Sequence, residues 1–202
     1  YVWAHTVPCP TTGRPTPLSP DFWLAHGKAG REVAVALEVD RASGTYGLRI
    51  VEGREAAEWG GRSTYKRGGA ESIWTGETFS GDYIRQMGVE HRIGQMLLAV
   101  VINRSGVSGR QFRVPSDADV EAAIAAELEL AKLRPNWEIQ DLVPNEPIFE
   151  GKETKRSVDM GLTKWSDMFA PRQLLSNVTA LDELRKIVGE ARAALLAFLR
   201  CL

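Results

Sequence analysis

The sequence predicts an α+β protein, in which a strand-rich, ribbon-like first half over residues 1–115 precedes a helical region over residues 116–202. Three observations lead to this prediction. Apolar residues alternate with small or polar ones in the first half, and Gly, Ser and Asp separate the alternating stretches. After Ser116 the apolar residues recur every three or four positions instead, which is the period of a helix.

Two β-hairpins account for most of the predicted strands. In the first, the alternating residues 33–39 lead through DRASGT into a second alternating stretch over residues 46–50. In the second, QMLLAVVIN and RQFRV flank RSGVSG, whose Gly and Ser residues suit a loop. The segment between the hairpins, residues 58–88, has no steady period, so we predict loops and short strands there, with one helical turn near Tyr83.

The first predicted helix follows the capping signature of Ser116 and Asp119 and ends at Pro135. Its spacing predicts one buried face, formed by Val120, Ile124, Leu128 and Ala131. Residues 135–151 contain three prolines among apolar residues, which predicts an extended strap lying over a surface.

The last predicted helix begins at Pro171, where a proline costs no hydrogen bond. The three-or-four spacing of apolar residues continues to Leu202 and predicts a rod of roughly 45 Å, with a bend at Gly189 as the alternative. Trp165 and Phe169 are four residues apart, and we expect them to fasten the start of this helix to the core.

Composition excludes several classes of protein. The formal net charge of the 202 residues is −1, so the chain lacks the strongly basic character of a dedicated DNA-binding module. The longest apolar run, residues 96–102, is too short to cross a membrane, and we expect neither membrane insertion nor secretion. The two cysteines, Cys9 and Cys201, lie near opposite ends and suggest no disulfide framework, which favours the cytoplasm.

The stretch TVPCPTTGRPTPLS begins like a zinc knuckle but lacks the second thiol. Cys9 could bind a metal only with help from scattered histidines such as His5, so local packing is the favoured interpretation and we predict no metal site. The chain also contains no nucleophile elbow, phosphate-binding loop or paired-histidine motif, and we predict no catalytic residues.

Two short segments are candidates for contact with nucleic acid. In GGRSTYKRGG, Arg62, Lys66 and Arg67 could bind phosphate while Tyr65 stacks on a base, although a soluble loop has the same composition. In TKWSDMFAPRQLL, Lys164 and Arg172 lie close to the start of the last helix. Arg172 is unfavourable against the positive end of the helix dipole, so we expect an acidic neighbour or a phosphate beside it.

Five stretches resemble, in the same order, the central part of a bacterial and archaeal family, the adenine-specific DNA methylases that contain a Zn ribbon. They are YVWAHTVPCP, PLSPDFWLA, YKRGGAESIWTGETFSGDYIR, GQMLLAVV and, most specifically, GLTKWSDMFAPRQLLSNVTALDELR. The resemblance implies a Rossmann-like methyltransferase that transfers a methyl group from S-adenosylmethionine to the amine of adenine in DNA. The family's Gly-rich cofactor motif and its Asn/Asp-Pro-Pro-Tyr/Phe motif do not occur here, so the cofactor is expected only in a longer parent chain.

The resemblance therefore implies an internal accessory region, inactive alone, whose apolar ends were cut from that parent. Its DNA-contact candidates are Arg62, Tyr65, Lys66, Arg67, Lys164 and Arg172. In zinc-bearing relatives, CxxC pairs stand at CPTTG and near GAESIWTGETF, so Cys9 is a vestigial ligand position and zinc is not expected. We expect an aromatic core in its place, formed by Trp3, Phe22, Trp23, Trp59, Trp74 and Phe79, and we note Ala170 where relatives have a capping Thr. The alternative is a ribbon-type protein-interaction module, or a homodimer formed through the last helix.

Overall fold

The structure is a computed structural model that describes residues 1–27, 32–103, 105–106, 109–187 and 193. It is α+β, with a strand-rich first half followed by helices, as the sequence predicts. The chain divides into two compact units. The first comprises Tyr1–Asp117 and Asp159–Gly161, and the second comprises Ala118–Val158 and Leu162–Leu202.

The strands of the first unit form three antiparallel sheets. Their orders are β10-β9-β1-β2, β3-β4-β5 and β6-β7-β8. The strands are β1 (Val2–Pro8), β2 (Pro15–Pro17), β3 (Trp23–Ala25), β4 (Val33–Asp40), β5 (Thr45–Glu52), β6 (Tyr65–Lys66), β7 (Gly69–Glu71), β8 (Thr78–Phe79), β9 (Gly94–Ile102) and β10 (Gln111–Arg113). Both predicted hairpins are confirmed, as β4–β5 and β9–β10.

Strand β4 is buried on both faces, and its two sets of side chains differ in size. Val35 and Leu37 pack in a core cluster that includes residues of β1 and β9. On the opposite face, Ala34 and Ala36 pack under helix α1 (Gly53–Gly60). Alternate residues of a strand point to opposite faces, so the small residues between the valines leave room for a helix.

The segment between the hairpins is more regular than the sequence predicts. Helix α1 was not predicted, and the helical turn expected near Tyr83 is the full helix α2 (Gly81–Val89). Ser80 caps α2 by accepting a hydrogen bond from the N–H of Tyr83 at 3.4 Å. Ile84 and Met87, three residues apart, are both buried and attach the helix to the core.

The expected aromatic core is confirmed in part. Phe22, Trp74 and Phe79 are buried, whereas Trp3, Trp23 and Trp59 are only half-buried.

In the second unit, helix α3 (Asp117–Ile139) continues through Pro135, so the prediction that this proline ends the helix is wrong. The ring of Pro135 is exposed, and a proline ring on an open helix face meets no neighbouring element. The predicted buried face is also wrong, because Val120, Ile124 and Leu128 are 43%, 52% and 61% exposed. The buried apolar residues of α3 are instead Leu130 and Trp137.

The strap is shorter than predicted, because residues 135–139 belong to α3. After α3 the backbone amides of Ile148, Trp165 and Ser166 take part in hydrogen bonds that join residues 144–148 to residues 163–166. Leu142 and Val143, in the same segment, are buried in the core of the unit. The short helix α4 (Lys155–Asp159) and a 3₁₀ turn (Trp165–Met168) complete the connection.

Helix α5 (Pro171–Lys186) starts at the predicted proline, and Leu174, Val178 and Leu184 form its buried face. Ile187 is extended, so a single rod from Pro171 to Leu202 is wrong. The predicted apolar positions after Ile187, and the bend at Gly189, lie outside the described residues. Trp165 and Phe169 are 46% and 39% exposed, so the expectation that they fasten the helix start to the core is also wrong. No helix in the described ranges is both long and apolar enough to cross a membrane.

Candidate functional site

Two turns of matching geometry stand at the tips of hairpins β1–β2 and β7–β8. In the first, Cys9 N–H donates to Arg14 O at 2.7 Å and Gly13 N–H donates to Cys9 O at 2.8 Å. In the second, Ser72 N–H donates to Glu77 O at 2.8 Å and Gly76 N–H donates to Ser72 O at 2.9 Å. The fifth residue of each turn is a glycine with a positive φ, 70° at Gly13 and 75° at Gly76. We call these the paired turns, residues 9–14 and 72–77.

The side chain at the first position of each paired turn accepts equivalent hydrogen bonds from its own turn. Ser72 Oγ accepts hydrogen bonds from the N–H groups two and three residues later, at 3.2 Å and 3.3 Å. The Cys9 sulfur receives the corresponding backbone hydrogen bonds from Thr11 and Thr12. In zinc knuckles, a CxxC pair lies on one tight turn. CPTTG and SIWTG have this spacing, with Cys9 as the only thiol.

The two turns face each other and are joined by polar contacts. Ser72 Oγ donates to Cys9 Sγ at 3.1 Å, and Cys9 Sγ lies 3.8 Å from Thr75 Oγ1. The carboxylate of Glu77 accepts from the Cys9 thiol at 3.3 Å and from the hydroxyl of Thr11 at 2.7 Å. Hydrogen bonds therefore cross the space between the turns.

Two aromatic side chains donate hydrogen bonds to the backbone on either side of the first turn. Trp74 Nε1 donates to Pro15 O at 2.9 Å, and the Tyr83 hydroxyl donates to Pro8 O at 2.9 Å. Trp74 is buried, and the guanidinium carbon of Arg14 lies 5.5 Å from the centre of its ring. Both aromatic side chains donate to backbone carbonyls next to the first turn. These hydrogen bonds connect that turn to the β7–β8 hairpin and to α2.

The donor atoms of the paired turns do not fit structural zinc. Such sites use cysteine and histidine almost without exception, whereas three of the four knuckle positions here carry the hydroxyls of Thr12, Ser72 and Thr75. Within the described ranges, no three His, Cys, Asp or Glu residues group in a way that could hold a metal ion.

Two pKa shifts follow from these contacts. Burial alone would raise the pKa of the Cys9 thiol, but hydrogen bonds to sulfur from Ser72, Thr12 and Thr11 outweigh it and lower the pKa overall. Ionisation of Cys9 would remove the hydrogen bond that its thiol donates to Glu77. This loss opposes the hydrogen bonds to sulfur that lower the pKa of Cys9. The pKa of Glu77 is lowered, first by the hydroxyl of Thr11 and then by Cys9.

The predicted basic loop follows helix α1, and its Arg62 packs back onto that helix. The guanidinium carbon of Arg62 lies 3.7 Å from the centre of the Trp59 ring, and its Nε donates to Glu58 O at 3.2 Å. This stacked pair stands at the wall of an open groove of about 520 Å³, which Arg41 also lines. Arg41 is fixed there by a hydrogen bond from its Nε to Ile73 O at 3.2 Å.

Beside this groove lies a smaller depression of about 270 Å³, which shares Ser63, Thr64 and Glu71 with it and is also lined by Tyr65 and Lys66. Tyr65 is half-buried and packs on a core cluster, which leaves less of its ring for stacking. Arg67 adopts a positive φ of 52° in the turn between β6 and β7.

Charge in this region is available for a ligand. Within the part of the chain that the structure describes, neither groove arginine, Arg41 or Arg62, has a carboxylate partner, and the same holds for Lys66 and Arg67. We call residues 59–67 together with Arg41 the basic surface.

The other two candidates belong to the second unit. The backbone N–H of Lys164 donates to Asp167 Oδ2 at 2.9 Å, which places this exposed lysine at the start of the 3₁₀ turn. Arg172 is the second residue of α5 and is half-buried. The exposed side chains of Trp165, Met168 and Phe169 lie between them in the sequence.

Sequence reasoning did not find Arg41 or Trp59 as parts of a site, and it linked the second turn to Cys9 only through the resemblance to zinc-bearing relatives, whose second CxxC pair stands near GAESIWTGETF. For the turn, a signal was present, since SIWTG repeats the spacing of CPTTG with hydroxyls in place of thiols. For the stacking of Arg62 on Trp59, three residues earlier, no signal existed, because helix α1 itself was not predicted.

Comparisons of this chain with protein-family models, with curated proteins and with solved structures find no match.

Proposed function

We propose that this chain is an internal accessory region of an S-adenosylmethionine-dependent, adenine-specific DNA methyltransferase, and that its basic surface contacts DNA. The observation that carries this proposal is the basic surface, where Arg62 stacks on Trp59 in an open groove and Lys66 lines the adjoining depression. Cations without carboxylate partners attract phosphate, and aromatic or guanidinium planes bind bases. The cofactor and the catalytic residues would belong to other parts of a parent protein.

The geometry of the paired turns also supports this proposal. A zinc ribbon that has lost three of its four thiols would keep its two tight turns and fill the space between them with polar contacts. The turns at Cys9 and Ser72 have this arrangement. They agree with the resemblance to methylases that contain a Zn ribbon, although this chain lacks the ligands for the ion.

The test is the salt dependence of duplex DNA binding by the 202-residue chain. Each phosphate contact contributes a slope of about 0.9 to the fall of log affinity with log salt concentration. We expect Lys66→Ala and Arg67→Ala each to reduce this slope by about that amount. Arg54→Ala is the matched control, because Arg54 is exposed on α1 and lies outside the groove lining. Binding that is absent, or independent of salt, would contradict the proposal.

The alternative, a protein-interaction or dimerisation module, stays a prediction, and one observation favours it. Val120, Ile124 and Leu128 are four residues apart on α3 and exposed, which leaves an apolar stripe on the helix surface. Sedimentation of the chain beside a Leu128→Lys variant would detect self-association through this stripe. A monomer at all concentrations would remove the homodimer from consideration.

A further inference from the structure

The groove in the basic surface has the size and lining of a ligand site rather than of a flat phosphate-binding patch. Its volume of about 520 Å³ lies within the range of about 300–1,000 Å³ that is usual for small-molecule pockets. Apolar side chains, Phe22, Leu37 and Val39, form part of its lining. A planar, partly apolar group would bury this surface, whereas a phosphate would not.

The stacked pair supplies a platform for such a group. The Arg62 guanidinium lies over the Trp59 ring, and its Nε donates to the backbone carbonyl of Glu58, so two contacts hold it in place. Guanidinium planes stack on nucleobases, as aromatic rings do. Because Arg62 is exposed, its outer face is available for a ligand ring.

The groove also offers a hydrogen-bond acceptor that suits a base. The lining contains two arginines, Arg41 and Arg62, and two carboxylates, Glu38 and Glu71. Glu38 is engaged by Arg49 at 2.9 Å, which leaves Glu71 as a nearby acceptor. A carboxylate repels phosphate but accepts hydrogen bonds from the exocyclic amine of a base. Lys66, which lines the adjoining depression, and Arg67, which lies outside both linings, are then the neighbouring cations for the phosphates, and neither has a carboxylate partner among the described residues.

We propose that this groove binds one unpaired nucleobase, stacked on the Arg62–Trp59 pair, while the neighbouring phosphates contact Lys66 and Arg67. The inference rests on the proposed function and deepens it, because it assigns the basic surface to single-stranded or locally unpaired DNA. The base could also belong to a free nucleoside, since the stacking chemistry is the same.

The experiment measures fluorescence anisotropy of a labelled single-stranded adenine oligonucleotide and of an abasic strand of the same length. Arg62→Lys keeps the charge but removes the planar guanidinium, so we expect the affinity for the adenine strand to fall about five-fold or more. Binding of the abasic strand should not change. Arg54→Lys is the matched control and should leave both affinities unaltered.

The outcomes separate the two proposals. Equal affinity for both strands, or equal losses for both in Arg62→Lys, would overturn the base site, while salt-dependent duplex binding through Lys66 and Arg67 would still support the proposed function. Conversely, duplex binding could be absent while adenosine changes the fluorescence of the chain but not that of Trp59→Phe. In that case the groove is a nucleoside site, and the proposed DNA contact fails.

Discussion

Introducing three thiols, with Thr12→Cys, Ser72→Cys and Thr75→Cys, should convert the paired turns into a zinc site. In tetrahedral zinc sites with Zn–S bonds of about 2.3 Å, the sulfur atoms lie about 3.8 Å apart. Cys9 Sγ is 3.8 Å from Thr75 Oγ1 and 3.1 Å from Ser72 Oγ, so the second turn must open by about 0.7 Å at Ser72. Such a shift is small for the tips of two hairpins.

The expected magnitude follows from the chemistry of structural zinc. Four thiolates on preformed turns should bind zinc with about 10 kcal/mol or more, which corresponds to a dissociation constant below about 0.1 µM. Free zinc at a thousand-fold excess over that constant stabilises the folded state by about 4 kcal/mol. For a chain of this length the melting temperature should then rise by about 8–16 °C.

The assay combines metal analysis, visible absorption of the cobalt(II) form and thermal melting with and without zinc. The matched control carries the same three substitutions together with Cys9→Ser, which leaves three thiols and should bind far more weakly. A four-thiol variant that folds normally but binds zinc no better than this control would refute the reasoning, because the four positions would then not converge on one point.

Three further changes test single contacts. Ala170→Ser should raise the free energy of unfolding by about 1 kcal/mol in urea denaturation, because Ala170 is the N-cap of α5 and has no side-chain acceptor. Pro135→Ala should raise it by about 2 kcal/mol, since an exposed proline within α3 removes a hydrogen bond and crowds the preceding turn. Glu77→Gln should destabilise the protein at neutral pH. Because the folded-state pKa of Glu77 is lowered from 4.5, the wild-type advantage should be present above about that pH and disappear as pH falls through the lowered pKa.

The controls for these changes are substitutions of the same kind in different surroundings. Ala180→Ser, inside α5, should lower stability by a few tenths of a kcal/mol, since serine there cannot cap a helix. Pro10→Ala changes an exposed proline in a turn and should give no increase. A Pro135→Ala variant of unchanged or lower stability would show that the proline ring contributes a contact of its own.

The sequence correctly predicted those elements whose formation depends on residues close together in the chain. The β4–β5 hairpin follows from alternation and a turn, and α5 starts at Pro171 because a proline at the first helical position is conformationally preorganised. Both depend on residues close together in the sequence. The spacing of Val120, Ile124 and Leu128 also predicted a shared face correctly, but spacing does not show that another element covers that face. The core of the second unit forms instead around Leu130 and Trp137.

The candidate sites were harder to predict, because their parts come from distant segments. Cys9 meets Ser72 across 63 residues of sequence. A search for cysteine pairs finds only Cys9, since the corresponding positions carry hydroxyls of similar shape but different chemistry. The groove combines Arg41, which follows a strand, with Trp59 on a helix, and no pattern in the sequence links the two.

The paired turns and the basic surface are physically continuous, so the contacts between the turns also bear on the groove. Ser72 and Ile73 belong to the second turn and also line the groove, and Ile73 O holds Arg41 in place. Strand β7 leads directly into that turn, and its partner β6 carries Lys66. The hydrogen bond that Ser72 donates to Cys9 therefore holds a residue of one wall of the groove. A change that disrupts the turns should therefore displace Arg41 and loosen the β6–β7 hairpin that carries Lys66, which links the stability of the turns to the shape of the groove.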